Sequence, residues 1–321
     1  MESSKDMILE KPENLYHYCS VQTFYNIMKN KSIWLSDISK SNDSQELRYF
    51  IDAFESLITT IWNSLIRERA ENGYSDNPIE VQSLLSNIIQ ALRSEAVKCW
   101  AFCLSGKRDD LGQWRGYADN GAGVAIGFKT IPFFAVNFEQ EIDPRAKNNM
   151  LYSPRFDKVY YGDLGLSRLE TKFRDGLELS PGMSPIEIQK RLINGIIPAF
   201  MAAPFFKNDG FSEEDEWRLV YILESSKISL EIIPRCEVLP IAECIGVFHP
   251  AEWGYVGKGK DLVSHVAFSN THFEESISEI IIGPKCDLSV LEVKLFLVSC
   301  GFFHDVDACT VLISKSASSF R

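Results

Sequence analysis

The period of the apolar positions changes several times along the chain, and each change marks an element. Leu15-Tyr16-His17-Tyr18 predicts an aromatic-rich strand. Phe24, Ile27 and Met28 then recur at helical spacing, and Ile33-Trp34-Leu35 predicts a second strand. Between 43 and 97 the spacing is three and four, which predicts two helices. The first carries Leu47, Phe50, Phe54, Ile58, Ile61 and Leu65 on one stripe. Asn72-Gly73 to Pro78 interrupts it, and Val81, Leu84, Ile88 and Leu92 mark the second. Asp43 and Glu46 have the spacing of a capping box.

Strand character returns in Cys99-Trp100-Ala101-Phe102-Cys103-Leu104 and in Gly121 to Phe128, with one helical turn over 111–117 between them. A strand is expected over 156–162. Ser184, Pro185 and Glu187 predict a helix running to about Phe200. Residues 216–282 read as mostly β: Trp217 to Leu223, Ile228 to Ile233, Val263 to Phe268 and Ile277 to Ile282. Asp287 is expected to cap a helix with Val290, Leu291, Leu295 and Phe296, which Gly301 ends, and Cys309 to Ile313 closes the chain as a strand. Strands at both ends with helices between them predict an α+β fold on a mixed or antiparallel sheet. The expected organisation is one domain over 1–321 with a helical insert at 43–97.

Composition narrows the function. The chain has 321 residues, 45% of them hydrophobic and 24% charged, with a formal net charge of −11. A globular protein is expected, without a broad basic face for duplex DNA. Met1-Glu2-Ser3-Ser4-Lys5-Asp6 is not the start of a secretory signal. The longest apolar stretch, Ile196 to Phe206, contains two prolines and is too short to span a bilayer. The eight cysteines are scattered and form no C-x-x-C pair. They read as reduced core or semi-core thiols of a cytoplasmic protein with no membrane partner. Cys99 and Cys103 lie four apart in a strand, poor geometry for zinc, and no metal site is expected.

Three places carry candidate chemistry. Gly121-Ala122-Gly123 leads into a strand rather than a helix, so it is no dinucleotide fingerprint but a turn into a buried strand, or one that lets a ligand approach the backbone. Glu213-Glu214-Asp215-Glu216-Trp217-Arg218 sets acids where a loop enters a strand. There a carboxylate can be held firmly beside a cleft, or simply be solvated. His17 must face away from Tyr16 and Tyr18 by strand alternation. Glu216 and Arg218, two apart, can share a face, as site residues or as a plain ion pair.

These segments in this order resemble the bacterial domain-of-unknown-function family 2971. The resemblance rests on Leu15-Tyr16-His17-Tyr18-Cys19-Ser20, Asn42-Asp43-Ser44-Gln45-Glu46, Ala101 to Ser105 and Gln113-Trp114-Arg115-Gly116-Tyr117-Ala118. Glu214-Asp215-Glu216-Trp217-Arg218 and Ile280-Ile281-Ile282-Gly283-Pro284 complete it, so that it spans roughly 15–300. More distantly, a Tyr-His strand, a Phe-x-x-Ser run (Phe102 to Ser105) and Glu214-x-Glu216 at a strand entrance are similar to the ADP-ribosyltransferase superfamily. That second resemblance implies a sheet core of that type and a mono-ADP-ribosyltransferase or NAD glycohydrolase, with NAD as substrate and no metal. A macromolecular acceptor, protein or nucleic acid, and a toxin, toxin–antitoxin or phage-defence setting with a partner protein go with it. In that reading Glu216 stabilises the cationic ribosyl centre and Glu214 orients the acceptor. Tyr16, His17 and Ser105 contact the dinucleotide, and His17 holds a ribose. Arg115 or Arg218 pairs with pyrophosphate, and Trp114 or Tyr117 stacks on nicotinamide. The competing expectations are a non-catalytic sensor or partner-binding protein and a metal-dependent nuclease using Asp43, Glu46 and Glu216.

Overall fold

Ser20 turns the first strand into the first helix. Strand β1 (Asn14–Cys19) ends there, and the Ser20 hydroxyl accepts from the Thr23 amide at the head of α1 (Val21–Asn30). α1 buries Phe24, Ile27 and Met28, as their spacing requires. The computed structural model describes residues 11–40, 46–73, 97–142, 154–177, 183–224 and 247–319, with isolated positions 83, 86 and 90. The predicted cap at Asp43, nearly all of the second helix of the 43–97 segment and the strand at 228–233 lie outside those residues.

After β2 (Ser32–Asp37) and α2 (Glu46–Glu71), the chain enters β3 (Val97–Ser105). α2 buries Phe54, Ile58 and Ile61 of its predicted stripe. The turn expected at 111–117 is a two-turn helix, α3 (Leu111–Tyr117), capped by Asp110. β4 (Val124–Lys129) follows, then α4 (Ile131–Ile142), an element the apolar spacing did not disclose. The strand expected at 156–162 is divided into β5 (Arg155–Lys158) and β6 (Tyr160–Tyr161). α5 (Gly162–Leu177) and α6 (Pro185–Met201) pack together, and α6 begins at the predicted Ser184–Glu187 cap. β7 (Phe206–Lys207) leads to β8 (Glu216–Glu224).

The hairpin of β9 (His249–Lys258) and β10 (Asp261–Ser269) comes next, then α7 (Phe273–Ser276) and β11 (Ile277–Ile282). α8 (Val290–Ser299) and β12 (Leu312–Lys315) end the described chain. Two expectations change here. Ser289, not Asp287, caps α8, because its hydroxyl and the Glu292 carboxylate exchange bonds with each other's backbone amide. Leu291 and Leu295 are exposed, and α8 buries Val293 and Leu297 instead.

Among the described residues, ten strands form one open, mostly antiparallel sheet in the order β12-β11-β4-β1-β3-β2-β10-β9, with β8 and then β5 on the other edge of β3. Among these described strands only β11–β12 pair in parallel within the sheet, and β6–β7 form a separate parallel pair. β3 is the fork. One of its edges meets β2 at Trp100 and Ala101 and β1 at Ser105, while β8 follows the other edge along its whole length.

One face of the sheet packs into an aromatic-rich core with Trp100, Phe102, Phe128, Phe133 and Phe248. On the other face of β3–β8 the paired rows are Cys99–Ile222, Ala101–Val220, Cys103–Arg218 and Ser105–Glu216. The first two rows pack under Met201 and Phe205 from the end of α6 and the turn after it. The last two rows are polar, and there the covering layer gives way to a cavity.

Candidate functional site

Side chains far apart in sequence meet at the polar end of β3–β8. Tyr16 is in register with Ser105, and Ser105 with Glu216, so three adjacent strands deliver one row. A cavity of about 280 Å³ opens there. Its walls are Tyr16, His17 and Tyr18 from β1, Cys103 to Ser105 from β3, Gln113 and Tyr117 from α3, and Lys207, Phe211, Glu214, Glu216 and Arg218.

The acidic entrance to β8 has a local cause. Asp215 is left-handed, at φ 46°, a conformation that aspartate tolerates better than most residues. Its carbonyl accepts from the Gly106 amide at 2.9 Å, and its carboxylate pairs with Lys158 at 2.7 Å. A side chain at position 106 would run into that carboxylate and push it from its pairing with Lys158. Ser105 completes the join by donating its hydroxyl to the Glu214 carbonyl at 2.8 Å.

Glu216 is buried. Arg218 grips it with two bonds, Nε to Oε1 at 2.8 Å and Nη2 to Oε2 at 2.9 Å, and also donates to the Pro204 carbonyl. Burial alone pushes the Glu216 carboxyl up, but the Arg218 guanidinium and then Lys207 overcome it and hold the group at about 2. Lys207 comes from the separate β6–β7 pair, and its ammonium bridges Glu214 at 2.7 Å and Glu216 at 3.3 Å. It also sits over the Phe211 ring, 4.7 Å from its centre. Tyr161 of β6 accepts from the Glu216 amide at 3.0 Å. On the opposite wall the Tyr117 hydroxyl donates to Glu214 Oε1 at 2.5 Å, and burial together with that carboxylate raises the phenol above its ordinary range.

His17 fills the fork in the sheet. Its ring stacks on Phe102 with centroids 4.3 Å apart, and Nδ1 meets the Cys103 carbonyl at 2.9 Å. A carbonyl only accepts, so Nδ1 carries the proton and Nε2 keeps its lone pair. Burial lowers the imidazole to about 4, against a smaller opposing effect of the Cys103 bond, and the ring is neutral near pH 7. As alternation requires, the flanking tyrosines face the other way, into a cluster with Trp114 and Ala125.

Seven of the nine residues expected at the site line this cavity: Tyr16, His17, Ser105, Tyr117, Glu214, Glu216 and Arg218. Trp114 does not, because it is fully buried, donates Nε1 to Asp109 and meets Tyr18 edge-on, so it has no open face for nicotinamide. Arg115 is exposed and lies outside the lining. Arg218 is committed to Glu216 and Pro204, which makes it an internal ion pair rather than a free anion receptor. Cys103 is exposed to the cavity, not a core thiol. Among the described residues no cluster of histidine, cysteine or acidic side chains could hold a metal ion.

The sequence reading missed Lys207, Phe211 and Gln113. Lys207 had a usable signal: it is a lone cation that closes the apolar stretch Ile196 to Phe206, a few residues before the acids.

These features define an α+β protein with a mostly antiparallel open sheet and a carboxylate-bearing cavity at its fork. Residues 113–219 match the model of a family described as "Protein of unknown function (DUF2971)". The match covers about a third of the chain, narrower than the 15–300 expected. It contains most of α3, from Gln113 on, and the Glu214–Arg218 entrance, but not His17 or Ser105. No curated protein and no solved structure matches the chain. Among the described residues no helix is long and apolar enough to cross a membrane.

Proposed function

We propose that the cavity binds the nicotinamide–ribose half of NAD and cleaves its glycosidic bond, as a mono-ADP-ribosyltransferase or NAD glycohydrolase. The observation that carries this reading is the meeting of His17, Ser105, Tyr117, Glu214 and Glu216 in one cavity, from four elements and the turn that leads into β8. The C1′–N bond breaks and nicotinamide leaves with the bonding pair. The cationic ribosyl centre is stabilised by a carboxylate already ionised and fixed in place, which needs no reorganisation. Glu216 supplies that charge. Glu214, with one bond on each oxygen, retains acceptor sites for the attacking hydroxyl and can take its proton as the new C1′–O bond forms. His17 Nε2 accepts from a ribose hydroxyl, and Tyr117 offers a partly exposed ring to the pyridine. Neutral imidazole and ionised Glu216 coexist above about pH 4, where the His17 ring has lost its second proton, and so both are in place at neutral pH.

The acceptor is water, a protein or a nucleic acid, and a toxin or phage-defence effector working with a partner protein would suit such chemistry. Nicotinamide release from NAD by the purified chain, with and without candidate acceptors, tests the reading. Release lost in Glu214→Gln and in Glu216→Gln, with circular dichroism unchanged, supports it. No release together with no NAD binding by calorimetry overturns it. One observation favours a second reading, a non-catalytic sensor. The charged side chains lining the cavity already satisfy one another, as they would in a site that only recognises a ligand. NAD binding without release under any condition is the signature of that case. The nuclease reading calls on Asp43, which lies outside the described residues.

A further inference from the structure

The charge arrangement of the cavity specifies which part of a nucleotide can enter it. Its charged lining is formally two cations and two anions, and all four are nearly sealed: side-chain exposure is 6% for Lys207, 17% for Glu214, 8% for Glu216 and 4% for Arg218. Each cation is in contact with at least one of the carboxylates. A phosphate entering the cavity would have to draw Lys207 or Arg218 away and leave a buried carboxylate unpaired, a strongly unfavourable exchange. The start of α3 offers an anion nothing either, because the Asp110 carboxylate already accepts from the Gln113 amide there.

What the cavity does present is acceptors and ring faces. His17 keeps the Nε2 lone pair, and the Glu214 oxygens hold one bond each out of about four acceptor sites. Tyr117 and Phe211 are 42% and 36% exposed, so both rings keep open surface beside the cavity. A volume of about 280 Å³ is at the small end for ligand pockets, below what a whole dinucleotide needs. Acceptors suit vicinal hydroxyls, and the rings suit a planar base.

We propose that this cavity is a nucleoside site: it takes the base and ribose of its ligand and leaves every phosphate outside. The choice of nicotinamide as the base rests on the function proposed above; the exclusion of phosphate stands on the charge pairing alone.

Calorimetry on the full chain tests this with nicotinamide riboside, its 5′-monophosphate and NAD, alongside adenosine, guanosine, cytidine and uridine. The expected result is that a nucleoside binds within about threefold of its own 5′-monophosphate, and that His17→Ala weakens it by about tenfold or more. If the 5′-phosphate tightens binding by about tenfold or more, the proposal falls while the NAD reading stands. If nicotinamide ligands fail but another nucleoside binds without help from phosphate, the NAD reading falls and the proposal stands. Nucleoside binding that His17→Ala leaves unchanged lies elsewhere and overturns the proposal, and no binding by any of the seven overturns both.

Discussion

The two halves of one face of β3–β8 have the same backbone pairing and opposite fates. At the Cys99–Ile222 and Ala101–Val220 rows the side chains are apolar and are sealed by Met201 and Phe205. At the Cys103–Arg218 and Ser105–Glu216 rows the chain changes to charge, and the covering elements supply Lys207 and Tyr117 in place of a hydrophobic lid. Apolar surface is stabilised by contact with anything apolar and closes without specific partners. Buried charge is tolerated only where partners come in fixed directions, and such partners cannot fill space as evenly. The cavity is thus the geometric consequence of burying four charges where two more apolar rows would have made core.

Substitutions on either half separate the two modes. The largest effect is expected from Arg218→Met, which removes both guanidinium bonds from buried Glu216 and leaves it to Lys207, and should cost about 3–5 kcal/mol in urea unfolding at pH 7. The double change Glu216→Met with Arg218→Met should recover most of that loss; if it is as damaging as the single change, the pair is not the reason the polar half is tolerated. On the apolar half, Met201→Ala should cost about 2–5 kcal/mol through a cavity, with no dependence on pH.

The acid limb distinguishes the halves further. Glu216 titrates at about 2 in the fold against about 4.3 in the unfolded chain. Its folded value is depressed, so its contribution is present above the unfolded value and is lost as pH falls toward the folded one. Thermal melts of the wild type should therefore drop between about pH 4.5 and pH 2, and those of Glu216→Gln should drop less. Equal acid slopes would remove Glu216 from the account. Away from both halves, Ser289→Ala should cost only about 1 kcal/mol by loss of the α8 cap. The smallest change is expected from Cys103→Ser, within about 0.5 kcal/mol, because this thiol faces the cavity rather than the core.

Much of this was legible in the chain. α1 followed from its apolar spacing, β3 from an uninterrupted β run, and α6 from its Ser184–Glu187 cap. β9 was not legible: Pro250, Gly254 and Gly257 break its pattern, and pairing with β10 holds it as a strand. α8 hid its buried face because it is apolar nearly all round. At the site, the expected residues at strand positions line the cavity, whereas Trp114 and Arg115 do not. A helix of two turns points adjacent residues in different directions, and only Gln113 and Tyr117 of α3 turn to the cavity.

By itself the sequence determined the α+β character, the start of β8 in an acidic cluster, and the opposite facing of His17 and its flanking tyrosines, because period and local chemistry act over a few residues. Only the tertiary structure decided that Ser105 would stand between Tyr16 and Glu216, that Lys207 would neutralise two carboxylates at once, and that Arg218 would be spent inside the protein. Those outcomes depend on strand register and on contacts across long stretches of chain, and both are settled by how the sheet as a whole buries its apolar face.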